Sequence, residues 1–128
     1  MSKTLGPSPG ALRHPNHSVR VSNNDGRCTV TINGKRVADS RETLVVDETG
    51  YDRVIYFPRR DVRTNLLSES HTRTTCPFKG EARYFAANVE GETRDVAWTY
   101  PVVYDEVAPI AGHVAFYADR VVLDVHDD

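Results

Sequence analysis

The sequence predicts a single, mainly β domain: a compact antiparallel sandwich or barrel-like fold with one short helix after the fifth strand. Three observations carry this reading. Apolar and polar residues alternate in short runs, turn residues separate those runs at regular intervals, and only one segment has helical spacing. A chain of 128 residues with 39% hydrophobic and 27% charged residues has the size and composition of one soluble globular domain.

The elements follow in order. Residues 1–16 contain Pro7, Pro9 and Pro15, two glycines and few large apolar groups, so they are expected to form a flexible arm ahead of a β domain at 17–128. His14-Pro15-Asn16-His17 closes that arm, as a turn into the first strand or a cap over a pocket. Val19 and Val21 alternate with polar residues, Asn23-Asn24-Asp25-Gly26 reads as a turn, and Cys28, Val30 and Ile32 alternate with Arg27, Thr29 and Thr31. Asn33-Gly34 is the hairpin dipeptide, because both central positions of a type I′ turn need positive φ. The first three strands are therefore expected to form an antiparallel meander.

Thr43 to Asp47 and Arg53 to Phe57 read as two further strands joined across Glu48-Thr49-Gly50-Tyr51-Asp52. Pro58 stops the second, and Val62 and Leu66 give Arg59 to Leu67 its i, i+4 helical spacing. A polar turn at Ser68-Glu69-Ser70 leads to His71–Thr75, a tight loop, and a strand over Ala82 to Val89. Glu90-Gly91-Glu92 turns the chain back into Thr93 to Tyr100, and Tyr104 to Ala111 reads as a single helical turn crossing between sheets. His113 to Tyr117 and Val121 to Val125 complete the strand set.

Composition excludes several function classes. A net charge of −2 gives neither an extended nucleic-acid footprint nor a polybasic membrane face. Two cysteines, Cys28 and Cys76, do not make a secreted disulfide scaffold, and the N-terminus lacks the apolar core of a signal peptide, so a cytoplasmic protein with free thiols is expected. The histidines form no paired ligand motif with these cysteines, and no P-loop or GxGxxG is present, so no metal and no cofactor are expected.

The densest chemistry lies in Thr74 to Tyr84, TTCPFKGEARY, which places a thiol, a rigid turn, a ring, an ammonium and a carboxylate within a few residues. Lys79 beside Gly80 suits an anionic group, or it pairs with Glu81 or Asp61; both readings are open. Cys76 is a nucleophile if a neighbour lowers its pKa, and otherwise a packing residue. Asp61, in the first turn after Pro58, complements a helix dipole or orients Lys79 at a pocket edge. Tyr56, Tyr84, Trp98, Tyr100 and Tyr117 stand at strand ends, as core rings or as the walls of one concave site.

Four blocks in succession carry a family resemblance: Tyr56 to Val62, Thr75 to Tyr84, Ala97 to Pro101, and Ala115 to Tyr117. Together they resemble the domain of unknown function 427 (DUF427) family, which also carries a nucleotidyltransferase-like label. The resemblance spans about Arg13 to Val125 and implies a small antiparallel β domain. Thr75 and Phe78 stand where many members carry His and Tyr. No Asp-x-Asp strand following a glycine-serine pair, the arrangement that holds metal ions in nucleotidyl transfer, is present.

The leading expectation is a domain that binds a small anionic or aromatic ligand around this loop through Tyr56, Asp61, Cys76, Lys79, Glu81, Tyr84, Trp98, Tyr100 and Tyr117. If it is an enzyme, Cys76, Lys79 and Asp61 are the catalytic candidates. The alternatives are a protein-interaction module that forms a homodimer through a strand edge, and the nucleotidyl or phosphoryl transferase that the family label suggests.

Overall fold

The structure is a computed structural model that describes residues 4–126. It is a mainly β, sandwich-like domain of ten strands: β1 (Val19–Asn23), β2 (Arg27–Ile32), β3 (Lys35–Ser40), β4 (Leu44–Glu48), β5 (Val54–Phe57), β6 (Leu67–Cys76), β7 (Gly80–Ala87), β8 (Asp95–Thr99), β9 (Val114–Phe116) and β10 (Val122–His126). Seven strands form one sheet in the order β1-β4-β5-β9-β8-β7-β6, and three form a second in the order β10-β2-β3. Every paired neighbour is antiparallel. No helix among the described residues is long and apolar enough to cross a membrane.

Strand alternation divides the core in two. Cys28, Val30, Ile32 and Val37 of the small sheet pack against Phe57, Phe85, Val96, Val114 and Phe116 of the large one. Residues of opposite parity on the same large sheet, Val46, Tyr56, Ala82 and Ala115, gather on its other face with Tyr100, Val103, Val107 and Ile110. The step from Tyr56 to Phe57, both buried, passes from one cluster to the other, as a period of two requires.

The Asn33-Gly34 hairpin forms as expected, with φ of 47° and 82° at its two central residues. The meander does not extend to β1, which pairs with β4 in the large sheet. Asn24 explains the departure. Its backbone N–H donates to Thr43 O at 3.1 Å and its side chain to Thr43 Oγ1 at 3.1 Å, so the Asn-rich segment carries the chain between sheets.

The expected helix at 59–67 is replaced by two 3₁₀ turns, Arg59–Asp61 and Thr64–Leu66. Between them Val62 is extended and bridges Ala38, while Arg63 N–H donates to Val37 O at 2.8 Å. Pairing with β3 thus takes a donor that a helix would have turned inward. The expected polar turn at Ser68-Glu69-Ser70 lies within β6, where the pairing with β7 shifts register between Glu69 and Arg73. An edge strand solvated on both faces carries no apolar alternation, so its length was hidden.

Ahead of β1, a short helix α1 (Pro9–Arg13) is capped by Ser8, whose Oγ accepts from Ala11 N–H at 3.0 Å. Leu5 N–H donates to Val103 O at 2.8 Å, Gly10 N–H to Pro77 O at 2.9 Å, and Ser8 N–H to the Glu106 carboxylate at 3.0 Å. These bonds lay the segment along the turn that holds Lys79.

Gly80 closes that turn with φ +138°, and a Cβ built there would stand 2.7 Å from Val102 O. Gly80→Ala should cost about 1–3 kcal/mol, seen as a lower urea midpoint with an unchanged slope. An unaltered midpoint would show that the turn has room to relax.

Candidate functional site

The site is built from alternate residues of neighbouring strands. Register places Leu44 opposite Tyr56, Tyr56 opposite Ala115, Ala115 opposite Trp98, and Trp98 opposite Tyr84, one row running from β4 to β7. Tyr117, two residues beyond Ala115, and Glu48, two beyond Val46, extend the same face. Ala115 is the small, fully buried member between two large rings. The hollow has a volume of about 270 Å³, and beside Tyr56, Tyr84, Trp98 and Tyr117 it is lined by Tyr100, Glu48, Asp52, Lys79, Tyr51, Val46 and Val54.

The rings hold one another in place. Trp98 Nε1 donates to Tyr56 Oη at 3.3 Å, and the two rings meet edge-on at 6.5 Å. Tyr117 meets Trp98 edge-on at 4.9 Å and stacks beside Tyr84 at 6.3 Å, while the Arg120 guanidinium lies 4.4 Å from the centre of the Tyr117 ring. Pairs of this geometry contribute about 0.5–1.5 kcal/mol beyond burial, which favours a fixed wall over a mobile one.

Lys79 is the buried cation of the site, only 7% exposed. Its Nζ donates to Glu48 Oε1 at 2.5 Å, and the other carboxylate oxygen lies 2.9 Å from His17 Nε2. Burial disfavours the charged form of Glu48, yet hydrogen bonds from Lys79 and His17 outweigh it and hold the carboxyl below its ordinary value of 4.5. His17 is itself stacked on Phe78 at 4.2 Å, so the turn bearing Lys79 is gripped through both its ring and its ammonium.

Burial pushes the Tyr56 phenol far above its usual value, only partly opposed by the Trp98 indole N–H. The same cause, reinforced by Tyr56, raises Tyr100, and burial with Tyr84 alongside raises Tyr117. These phenols therefore stay protonated at neutral pH. Because Tyr56 Oη accepts from Trp98, its own proton is available for donation, and the Tyr100 hydroxyl has no hydrogen bond among the described residues. No three His, Cys, Asp or Glu side chains gather as a metal set among the described residues.

A family model described as Domain of unknown function (DUF427) matches residues 20–127. The chain belongs to the DUF427 family. No match to it was found among curated proteins. Every candidate site residue singled out from the sequence lies within the matched stretch, whereas His17 and α1 lie ahead of it.

Of the residues singled out from the sequence, Tyr56, Lys79, Tyr84, Trp98, Tyr100 and Tyr117 line this hollow. Three do not. Asp61 accepts a 2.6 Å hydrogen bond from Ser40 Oγ and ties the first 3₁₀ turn to the end of β3. Glu81 is exposed, turned away from its buried neighbour Ala82, and sits near Leu5, Arg83 and Val102. Cys76 is half-buried and packs against the cluster beneath the rings. The partner of Lys79 is neither Glu81 nor Asp61 but Glu48, a residue that sequence reasoning placed in a loop. Its signal was the period of two: Leu44, Val46 and Glu48 share one face of β4.

Removing the Glu48 carboxylate leaves a buried ammonium without its partner, so Glu48→Gln should destabilise the domain by about 3 kcal/mol. The folded-state pKa of Glu48 is depressed, so its contribution is full above the ordinary carboxyl range and is lost as pH falls through 4.5 and below. The gap in Tm between wild type and Glu48→Gln should therefore narrow from neutral pH to about pH 3. A gap independent of pH would show that charge on Glu48 is not what the pair contributes.

Proposed function

We propose that the hollow binds a small, flat, aromatic ligand that carries a neutral hydrogen-bond acceptor such as a carbonyl oxygen. The observation that carries this reading is the Lys79–Glu48 pair: the cation that would attract an anion is already matched by a carboxylate at 2.5 Å. Asp52, also in the lining, adds negative charge. Of the anionic and aromatic ligands that the sequence suggests, this electrostatic balance favours the aromatic one.

The walls supply what such a ligand needs. Trp98, Tyr84 and Tyr117 offer ring faces and edges, and the neutral Tyr56 and Tyr100 phenols offer protons to an acceptor. The volume of about 270 Å³ falls just under the roughly 300 Å³ at which ligand pockets begin, which limits the ligand to one or two rings.

Trp98 is the sole tryptophan of the chain, so its fluorescence reports on the hollow directly. Benzamide, a neutral ring with a carbonyl acceptor, should change that emission saturably, and benzoate, its anionic counterpart, should bind more weakly. Tyr100→Phe should weaken benzamide by about fivefold, the loss of one hydrogen bond. Preference for benzoate, or no saturable response to either at millimolar concentration, would refute the proposal.

A further inference from the structure

We propose that Lys79 is a carbonyl-capturing lysine, forming a covalent imine with an aldehyde or ketone group on the ring that the hollow holds. This rests on the ligand reading above and adds to it a reaction. Lys79 combines two properties that a solvated surface lysine lacks: it is 7% exposed, and it lines an aromatic-walled hollow. Its Nζ is also in direct contact with a carboxylate that can take its proton.

The step balances within the site. Lys79 Nζ gives one proton to Glu48, and its freed lone pair forms a bond to the carbonyl carbon as the carbonyl π pair moves onto oxygen. Transfer of a second proton from nitrogen to that oxygen leaves a neutral carbinolamine. Glu48 then returns its proton to the hydroxyl, the C–O bond breaks, water leaves, and a protonated imine remains. One positive charge on Nζ is present before and after, paired at both ends with the Glu48 carboxylate, and at the carbinolamine both groups are neutral. His17, 2.9 Å from the second Glu48 oxygen, keeps the carboxylate directed at Lys79 during both transfers. The protonated phenols of Tyr56 and Tyr100 line the same hollow as donors to the carbonyl oxygen, which polarises the carbon under attack.

The chain has three lysines, Lys3, Lys35 and Lys79, and Lys35 is exposed at the start of β3, so it serves as an internal reference. Wild-type protein is incubated with benzaldehyde and sodium cyanoborohydride, which reduces an imine to a stable benzyl amine, and the modified lysines are located by peptide mass spectrometry. Lys79 should be benzylated roughly tenfold or more faster than Lys35, because binding positions the carbonyl beside it. Saturating benzamide, which fills the hollow but forms no imine, should slow labelling of Lys79 and leave Lys35 unchanged. Equal labelling of the two lysines, or labelling of Lys79 that ignores benzamide, overturns the inference. If benzamide alters Trp98 emission yet Lys79 is not labelled, covalent capture is refuted and the ligand reading stands. If neither compound reaches Trp98, both are refuted.

Discussion

The Glu48–Lys79 ion pair is the constraint on which the rest of the site depends. It joins the end of β4 to the turn between β6 and β7, elements separated in the sheet by β5, β9 and β8. Removing two charges from water costs several kcal/mol per ion, and the pair is tolerable only because further hydrogen bonds satisfy it. His17 supplies one of them, and the stack of His17 on Phe78 fixes the adjoining turn. An ammonium that would otherwise extend into solvent is thereby bent over the face of the sheet. The same contact matches its charge with a carboxylate.

The second determinant is parity. A sheet with a core on each face must assign every residue to one cluster or the other, and the large sheet does so strand by strand. Val114 and Phe116 face the small sheet while Ala115 faces the rings. Ala115, fully buried between Tyr56 and Trp98 in that row, leaves room for the two rings to meet across it, edge-on and with the indole N–H on the phenol oxygen. A one-residue slip in β9 would put a valine or phenylalanine in its place and force the two rings apart.

Much of this was legible in the sequence, for a physical reason. Tyr56, Tyr84 and Trp98 occupy strands whose alternation is plain, and Tyr117 directly follows β9, so a shared face was readable from strand geometry. Lys79 was legible from its turn residues, Pro77 and Gly80. Its partner was not, because Glu48 is the last residue of β4 and reads equally as the first of a loop. Asp61 and Glu81 are close to the loop or the rings in sequence, and proximity along the chain is a poor guide in a strand, where adjacent side chains point to opposite faces. The supposed helix at 59–67 failed on a long-range bond, Arg63 N–H to Val37 O, which no local pattern encodes. The placement of β1 beside β4 was hidden for the same reason: Asn24 reads as a turn former whether the chain reverses within a sheet or leaves it.

The seam between β5 and β9 has a consequence for how the hollow comes into being. Only two residue pairs, Tyr56 with Ala115 and Phe57 with Val114, join the strands there, although the residues lie far apart along the chain. In the backbone ladder of the large sheet, the Glu48 side and the Trp98 side meet at this narrow joint. Closing it requires ordering the long intervening stretch of chain, a loop-closure cost that slows folding. A half-zipped chain would own all the aromatic rings and still hold Tyr56 apart from Trp98, so the hollow exists only in the finished fold.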